Sequence, residues 1–95
     1  MSVTIGNLTF DRVRYDAAGD VLYLQAGEPQ AAAAAEGTPE GHVVRYDRDR
    51  RIIGLTIINA RWLVTHEGGI TVTLPAPTLH AEAHALAEVL GLGMA

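Results

Sequence analysis

The sequence predicts an α+β domain: a small, mainly antiparallel β-sheet of hairpins with one C-terminal amphipathic α-helix packed on it. Three observations carry this. Short stretches of alternating polar and apolar residues, each ended by turn residues, recur from Val3 to Leu74, and a period of two is that of a half-buried strand. The period then lengthens, with Leu79, Ala83, Leu86 and Leu90 at helical spacing. The chain is 48% apolar but only 5% aromatic, with one Trp and one Phe, so its core is built from Val, Ile, Leu and Ala. Five to seven short strands are expected.

The elements follow in order. Val3, Ile5, Leu8 and Phe10 flank Gly6-Asn7, a two-residue hairpin signal. Arg12 to Asp16 alternates strictly and predicts a strand. Asp16 to Asp20 is a turn, because Asp bonds its own following backbone and Gly19 tolerates positive φ. Val21 to Gln25 returns as the second strand of that hairpin. Residues 29–36 leave two readings open. Five alanines, Ala31 to Ala35, favour helix by propensity, with Pro29 suited to a first turn. A helix of about two turns does not stand without packing, and the same residues can lie flat as an edge strand.

His42 to Asp47 is β-branched and aromatic and predicts a strand, with Arg48 to Arg51 as the polar turn after it. Ile52 to Ile58 is nearly continuous in apolar residues, the pattern of a central strand buried on both faces. Gly54 inside it marks a bulge or the close approach of another backbone. Asn59 to Trp62 leaves that strand, and Gly68-Gly69 is a turn. Ile70 to Leu74 alternates as a further strand, which Pro75 and Pro77 end because neither can donate to a ladder. Thr78 suits an N-cap, Leu79 to Leu90 is the expected helix, and Gly91 and Gly93 stop it.

Ninety-five residues fit one domain, 1–95. A chain of this size buries only about two thirds of its unfolded surface, so its stability is marginal or shared with a second copy, and a homo-oligomer, most simply a dimer, is expected. The formal charge is −4, from eleven acids against seven bases, and every base is Arg. An acidic chain gains little from a phosphate backbone, so nucleic acid is not an expected partner. The apolar content argues against a disordered chain. No run reaches the roughly 20 apolar residues of a bilayer span. There is no cysteine, and Met1 to Gly6 lacks the basic and apolar regions of a signal peptide. A cytoplasmic location is therefore expected, with no membrane partner.

Two segments resemble a known family. Tyr15-Asp16-Ala17-Ala18-Gly19-Asp20-Val21-Leu22-Tyr23-Leu24 is similar to the opening motif of domain-of-unknown-function family 2283, Tyr-Asp, a three-residue turn, Asp, then a Leu-Tyr-Ile-type strand. Tyr46 to Ile57 resembles its second motif, Asp-x-Asp-x-Gly followed by a Val-Gly-Ile-Glu-Ile-type strand. Arg50 stands where the family usually has the turn Gly, and Thr56 where it often has Glu. The resemblance covers about Val13 to Ala60. It leaves the strands of residues 3–10 and the segment 61–95 outside as extensions. It implies small bacterial proteins with two antiparallel hairpins and an extended conformation for the alanine segment. It implies no reaction, and a weak association with toxin-like neighbouring genes.

Candidate sites are few. His80, His84 and Glu88 stand at i, i+4 and i+8 of the expected helix and share a face. His-x-x-x-His on a helix can hold zinc or another transition metal, with Glu88 or His66 as third ligand. Solvated polar residues on an outward face are the plainer reading. Asp16, Asp20, Asp47 and Asp49 fall in two turns. There, side-chain-to-backbone hydrogen bonds account for them better than a paired-carboxylate mechanism does. Arg48, Arg50 and Arg51 either contact phosphate or an acidic partner, or keep a hairpin soluble and discourage edge pairing. Trp62 either caps the core or anchors a subunit contact, together with Leu86 and Leu90 of the helix. Ser2 is the only serine, and no nucleophile–base motif is present. The expected role is a non-enzymatic interaction module, self-associating. An antitoxin-like or accessory partner of a neighbouring gene product is one alternative. A small metal-dependent hydrolase using the histidine face is another.

Overall fold

The computed structural model describes residues 2–74 and 79–92. The expected strand end at Pro75 and Pro77, the N-cap at Thr78 and the stop at Gly93 lie outside the described residues. The elements are β1 (Val3–Ile5), β2 (Leu8–Phe10), β3 (Arg12–Asp16), β4 (Val21–Gln25), β5 (Ala34–Gly37), β6 (Val43–Tyr46), β7 (Ile52–Ile58), α1 (Ala60–Glu67), β8 (Gly69–Val72), β9 (Leu79–Glu82) and α2 (Ala83–Leu86). The main sheet has five antiparallel strands in the order β3-β4-β7-β6-β5, and β1-β2 and β8-β9 are separate hairpins. A mainly antiparallel sheet with little helix is therefore correct, and the alanine segment resolves as edge strand at Ala34–Gly37.

Alternation sorts the main sheet into two faces. Leu22 and Leu24 of β4, Val44 and Tyr46 of β6, and Leu55 and Ile57 of β7 are buried. They join Phe10, Ile5, Ile70, Leu79, Leu86 and Leu90 in a single core. The two flanking hairpins and both helices thus share the core formed on the inner face. On the outer face the register aligns Arg12, Gln25, Gly54 and Arg45 in one row, and Arg14, Tyr23, Thr56 and Val43 in the next. The β6–β7 pairing shifts between Arg45 and Tyr46, so the break anticipated around Gly54 is present.

The helix is misplaced in the sequence reading. A C-terminal helix over Leu79–Leu90 is replaced by strand β9, which pairs with β8 through Leu79↔Val72, Thr71↔His80 and Ile70↔Ala81. Leu79 and Ala81 are buried while His80 and Glu82 are exposed, a period of two that fits those four residues as well as the helical period does. Without β9, β8 would be left without its ladder partner. Only the single turn of α2 remains helical, followed by turns to Gly91, whose φ of 70° admits the left-handed exit. There the Leu92 N–H donates to the Ala87 carbonyl at 2.9 Å, a Schellman-type closure.

The longer helix is α1, in mid-chain. It buries Ala60 and Val64 and ends at Gly68, φ 78°. Its own N-cap residue, Asn59, is left-handed and makes no side-chain cap bond. The cap comes from far away in sequence. Asp20 Oδ1 accepts from the Arg61 N–H at 2.7 Å and Oδ2 from the Trp62 N–H at 3.1 Å, while the Asp20 carbonyl accepts from the Ala60 N–H at 3.2 Å.

Candidate functional site

The outer face of the main sheet remains open. Arg12, Arg14 and Ile58 are exposed there, and Tyr23, Gln25, Val43, Arg45 and Thr56 are half-buried. A trough of about 410 Å³ runs across it, lined on its polar side by Arg12, Arg14, Tyr23, Gln25, Arg45 and Thr56. The local pattern explains the composition: polar residues take the alternate positions of strands whose other face is in the core.

Each arginine is held differently. Arg12 Nε donates to the Gly27 carbonyl at 3.0 Å and its Nη2 pairs with Glu28 at 3.3 Å, a solvent-exposed pair. Arg14 lies over the Tyr23 ring, 4.1 Å from guanidinium carbon to centroid. Arg45 lies across Gly54, where a Cβ would come within 3.0 Å of its Nε and Nη2. Gly54 is therefore the seat of Arg45, and the Arg45 Nε is buried with no hydrogen-bond partner among the described residues. Neither Arg14 nor Arg45 has a carboxylate within ion-pair distance among those residues.

Two of the turn aspartates, Asp20 and Asp47, hold backbone groups. Tyr15 Oη donates to Asp20 Oδ1 at 2.7 Å, so one carboxylate joins the β3–β4 turn to the start of α1. Burial pulls the Asp20 carboxyl upward, but the Arg61 N–H, the Tyr15 hydroxyl and the Trp62 N–H outweigh it and hold it below the ordinary range. Burial, followed by the bond to Asp20, raises the Tyr15 phenol. Asp47 Oδ1 accepts from the Asp49 and Arg51 N–H groups at 2.8 and 2.9 Å, closing the β6–β7 turn. Arg50, in the family's glycine position, takes φ 63° and stacks on Tyr46 at 4.2 Å while pairing with Glu36 at 3.3 Å. Asp47, Arg48 and Asp49 border a separate hollow of about 490 Å³ with Gln30 to Ala33, which neither Asp16, Asp20, His66 nor His80 lines.

The proposed metal ligands lose their shared helix. His80 is on β9, where Nδ1 meets Thr71 Oγ1 at 2.8 Å and Nε2 meets Glu82 at 3.4 Å. His84 is on α2, Glu88 lies in the turn beyond it, and both are exposed. His66 is on α1, stacked on Trp62 with centroids 4.6 Å apart. Among the described residues no group of three or more His, Cys, Asp or Glu is placed to hold a metal ion. Of the expected interface trio, Trp62 is 49% exposed. Leu86 and Leu90 are instead buried in this chain's own core, because the turn after α2 folds them inward.

Sequence reasoning missed Arg12, Arg14, Arg45 and Tyr23 as a group. Their signal is arginine at the polar positions of two hairpins, but only the β4–β7 pairing brings those hairpins onto one face. It also missed His42, which is 1% exposed. Its Nδ1 accepts from the Ile58 N–H at 3.1 Å, so its proton is on Nε2, which has no partner among the described residues.

Fold and site define a small antiparallel-sheet domain whose open face is cationic although the chain carries a net charge of −4. Residues 12–61 match the family described as "Protein of unknown function (DUF2283)". That span holds all five strands of the main sheet, Asp20 and the first two residues of α1. It is more than half of the chain, and the chain belongs to this family. No curated protein and no solved structure matches it.

Proposed function

We propose that the protein acts by contact rather than by chemistry, as a non-enzymatic interaction module whose contacting surface is the open face of the main sheet. The observation that carries this reading is Arg45. A guanidinium seated over Gly54, with no carboxylate within ion-pair distance among the described residues, is a cation available to something outside the chain. Two further features support it. The trough is lined on its polar side by arginine, tyrosine, threonine and amide side chains, with no carboxylate, histidine or cysteine among its lining residues. Asp20 and Asp47, one from each motif, are engaged in a helix cap and a turn.

Isolation of the tagged chain from its native cells tests the reading. Wild type retains a stoichiometric partner, and the double variant Arg14→Glu/Arg45→Glu, with its fold checked by circular dichroism, loses it. Retention of the same partner by the variant contradicts this surface. Self-association is a second reading, favoured by exposed Trp62 and by Ile58, 36% exposed. Sedimentation then shows a dimer that Trp62→Ala converts to monomer; a strictly monomeric wild type at micromolar concentration removes it.

A further inference from the structure

We infer that the occupant of the arginine face is an acidic protein segment: an extended stretch whose carboxylates reach Arg14 and Arg45. The inference rests on the contact reading and names its partner. Charge complementarity is the first argument. Arg14 and Arg45 bring two cations to one face with no carboxylate within ion-pair distance of either among the described residues, and the exposed Arg12–Glu28 pair at 3.3 Å is of the kind that exchanges at little cost.

Geometry sets the pattern of the segment. Arg14 and Arg45 lie in adjacent rows, three strand spacings apart across β3, β4, β7 and β6. At about 4.8 Å per spacing, with an offset of about 7 Å along the strand, their backbones are about 16 Å apart. An extended chain rises about 3.4 Å per residue, so acids about four residues apart on one face match the span once side-chain reach is added. All the cations are arginines, whose planar fork engages a carboxylate through two parallel bonds.

The surroundings indicate protein rather than nucleic acid. Val43 and Ile58 on the same face supply apolar rim, and Arg with Tyr is the side-chain pair enriched in protein interfaces. The one aromatic ring in the trough, Tyr23, is already covered by Arg14 at 4.1 Å, which removes the platform on which a base stacks. The net charge of −4 also opposes a polyphosphate.

The test titrates the isotope-labelled full chain with three probes. These are a capped peptide of alternating Glu and Val, the same peptide with Gln for Glu, and a single-stranded oligonucleotide of equal charge. Amide and Arg Nε signals are followed by NMR. The acidic peptide shifts signals of Arg14, Tyr23, Arg45 and Thr56, and the Gln peptide does not. Affinity falls at least about tenfold in Arg14→Gln/Arg45→Gln and stays within about twofold in Arg48→Gln/Arg51→Gln, with thermal midpoints confirming both folds. An equal loss in the turn-arginine variant, shifts scattered away from the face, or tighter binding of the oligonucleotide overturns the proposal. So does absence of binding. In each case partner isolation with the Arg14→Glu/Arg45→Glu chain still decides the contact reading separately.

Discussion

Asp20 and Arg61, forty-one positions apart, are joined at 2.7 Å by a bond from the Arg61 N–H to the Asp20 carboxylate. The turn of the first family motif thereby caps a helix that starts where the family match ends. The Trp62 N–H and the Tyr15 hydroxyl complete the set on the same carboxylate. Loss of a cap costs typically about 1 and up to about 2 kcal/mol, and the orphaned Tyr15 hydroxyl adds to this. Asp20→Ala is therefore expected to lower stability by about 2 kcal/mol in urea denaturation. Asp20→Asn, which tolerates the φ of 55° and still accepts hydrogen bonds, loses less. Equal losses in both variants contradict the capping role.

His42 gives a pH dependence near neutrality. Burial lowers its pKa from 6.5, against a smaller opposing pull from Glu40. A depressed histidine means that the unfolded chain takes up the proton more readily. Its contribution to stability is thus complete above 6.5 and is lost as pH falls below that value. Denaturation midpoints should be level above pH 6.5 and decline below it, with the decline in this window reduced in His42→Gln. His42→Ala leaves the Ile58 N–H without its acceptor, at a cost of about 1–3 kcal/mol.

Glu40 extends the acid sensitivity. Its Oε1 accepts from the Thr73 N–H at 3.0 Å and its Oε2 from the Thr73 hydroxyl, fastening the loop before β6 to the end of β8. Burial acts to raise its pKa, but the bonds from Thr73 and Thr38 prevail and bring it from 4.5 to about 2. The stabilisation is present above 4.5 and disappears as pH falls toward 2. Glu40→Gln should flatten the stability profile in that window while leaving the decline below 6.5 in place. An unchanged slope between 4.5 and 2 contradicts the clasp.

Arg50 separates backbone strain from side-chain contact. Its φ of 63° is natural to the glycine usual at this position, and a non-glycine residue there is strained by about 1 kcal/mol. Alanine keeps the strain and loses the Tyr46 stack, whereas glycine loses the stack and relieves the strain. Arg50→Gly should therefore be more stable than Arg50→Ala by about 1 kcal/mol in thermal or urea unfolding. Equal stabilities rule out strain at this turn.

Most strands of the first three quarters of the chain were legible because they alternate with a period of two, or in Ile52–Ile58 run nearly continuously apolar, and Gly-Asn or Asp-containing turns separate them. Helix α1 was not. It spans eight residues including Thr65, Val64, Trp62 and His66, weak helix formers, and its cap is supplied by Asp20 from another hairpin, beyond any local window. At Leu79 the reverse occurred: four residues satisfied both periods, and pairing with β8 decided between them. The arginine face was invisible for a related reason. Arg14 and Arg45 are unremarkable polar positions until the order β3-β4-β7-β6 places them on one surface.

Covalent footprinting of the isolated partner complex tests the contact surface most directly. Tyr23 and Arg14 are labelled in the free chain and protected in the complex, with Trp62 on α1 labelled in both. Undiminished labelling of Tyr23 and Arg14 in the complex, with protection confined to Trp62 and its helix, contradicts the account.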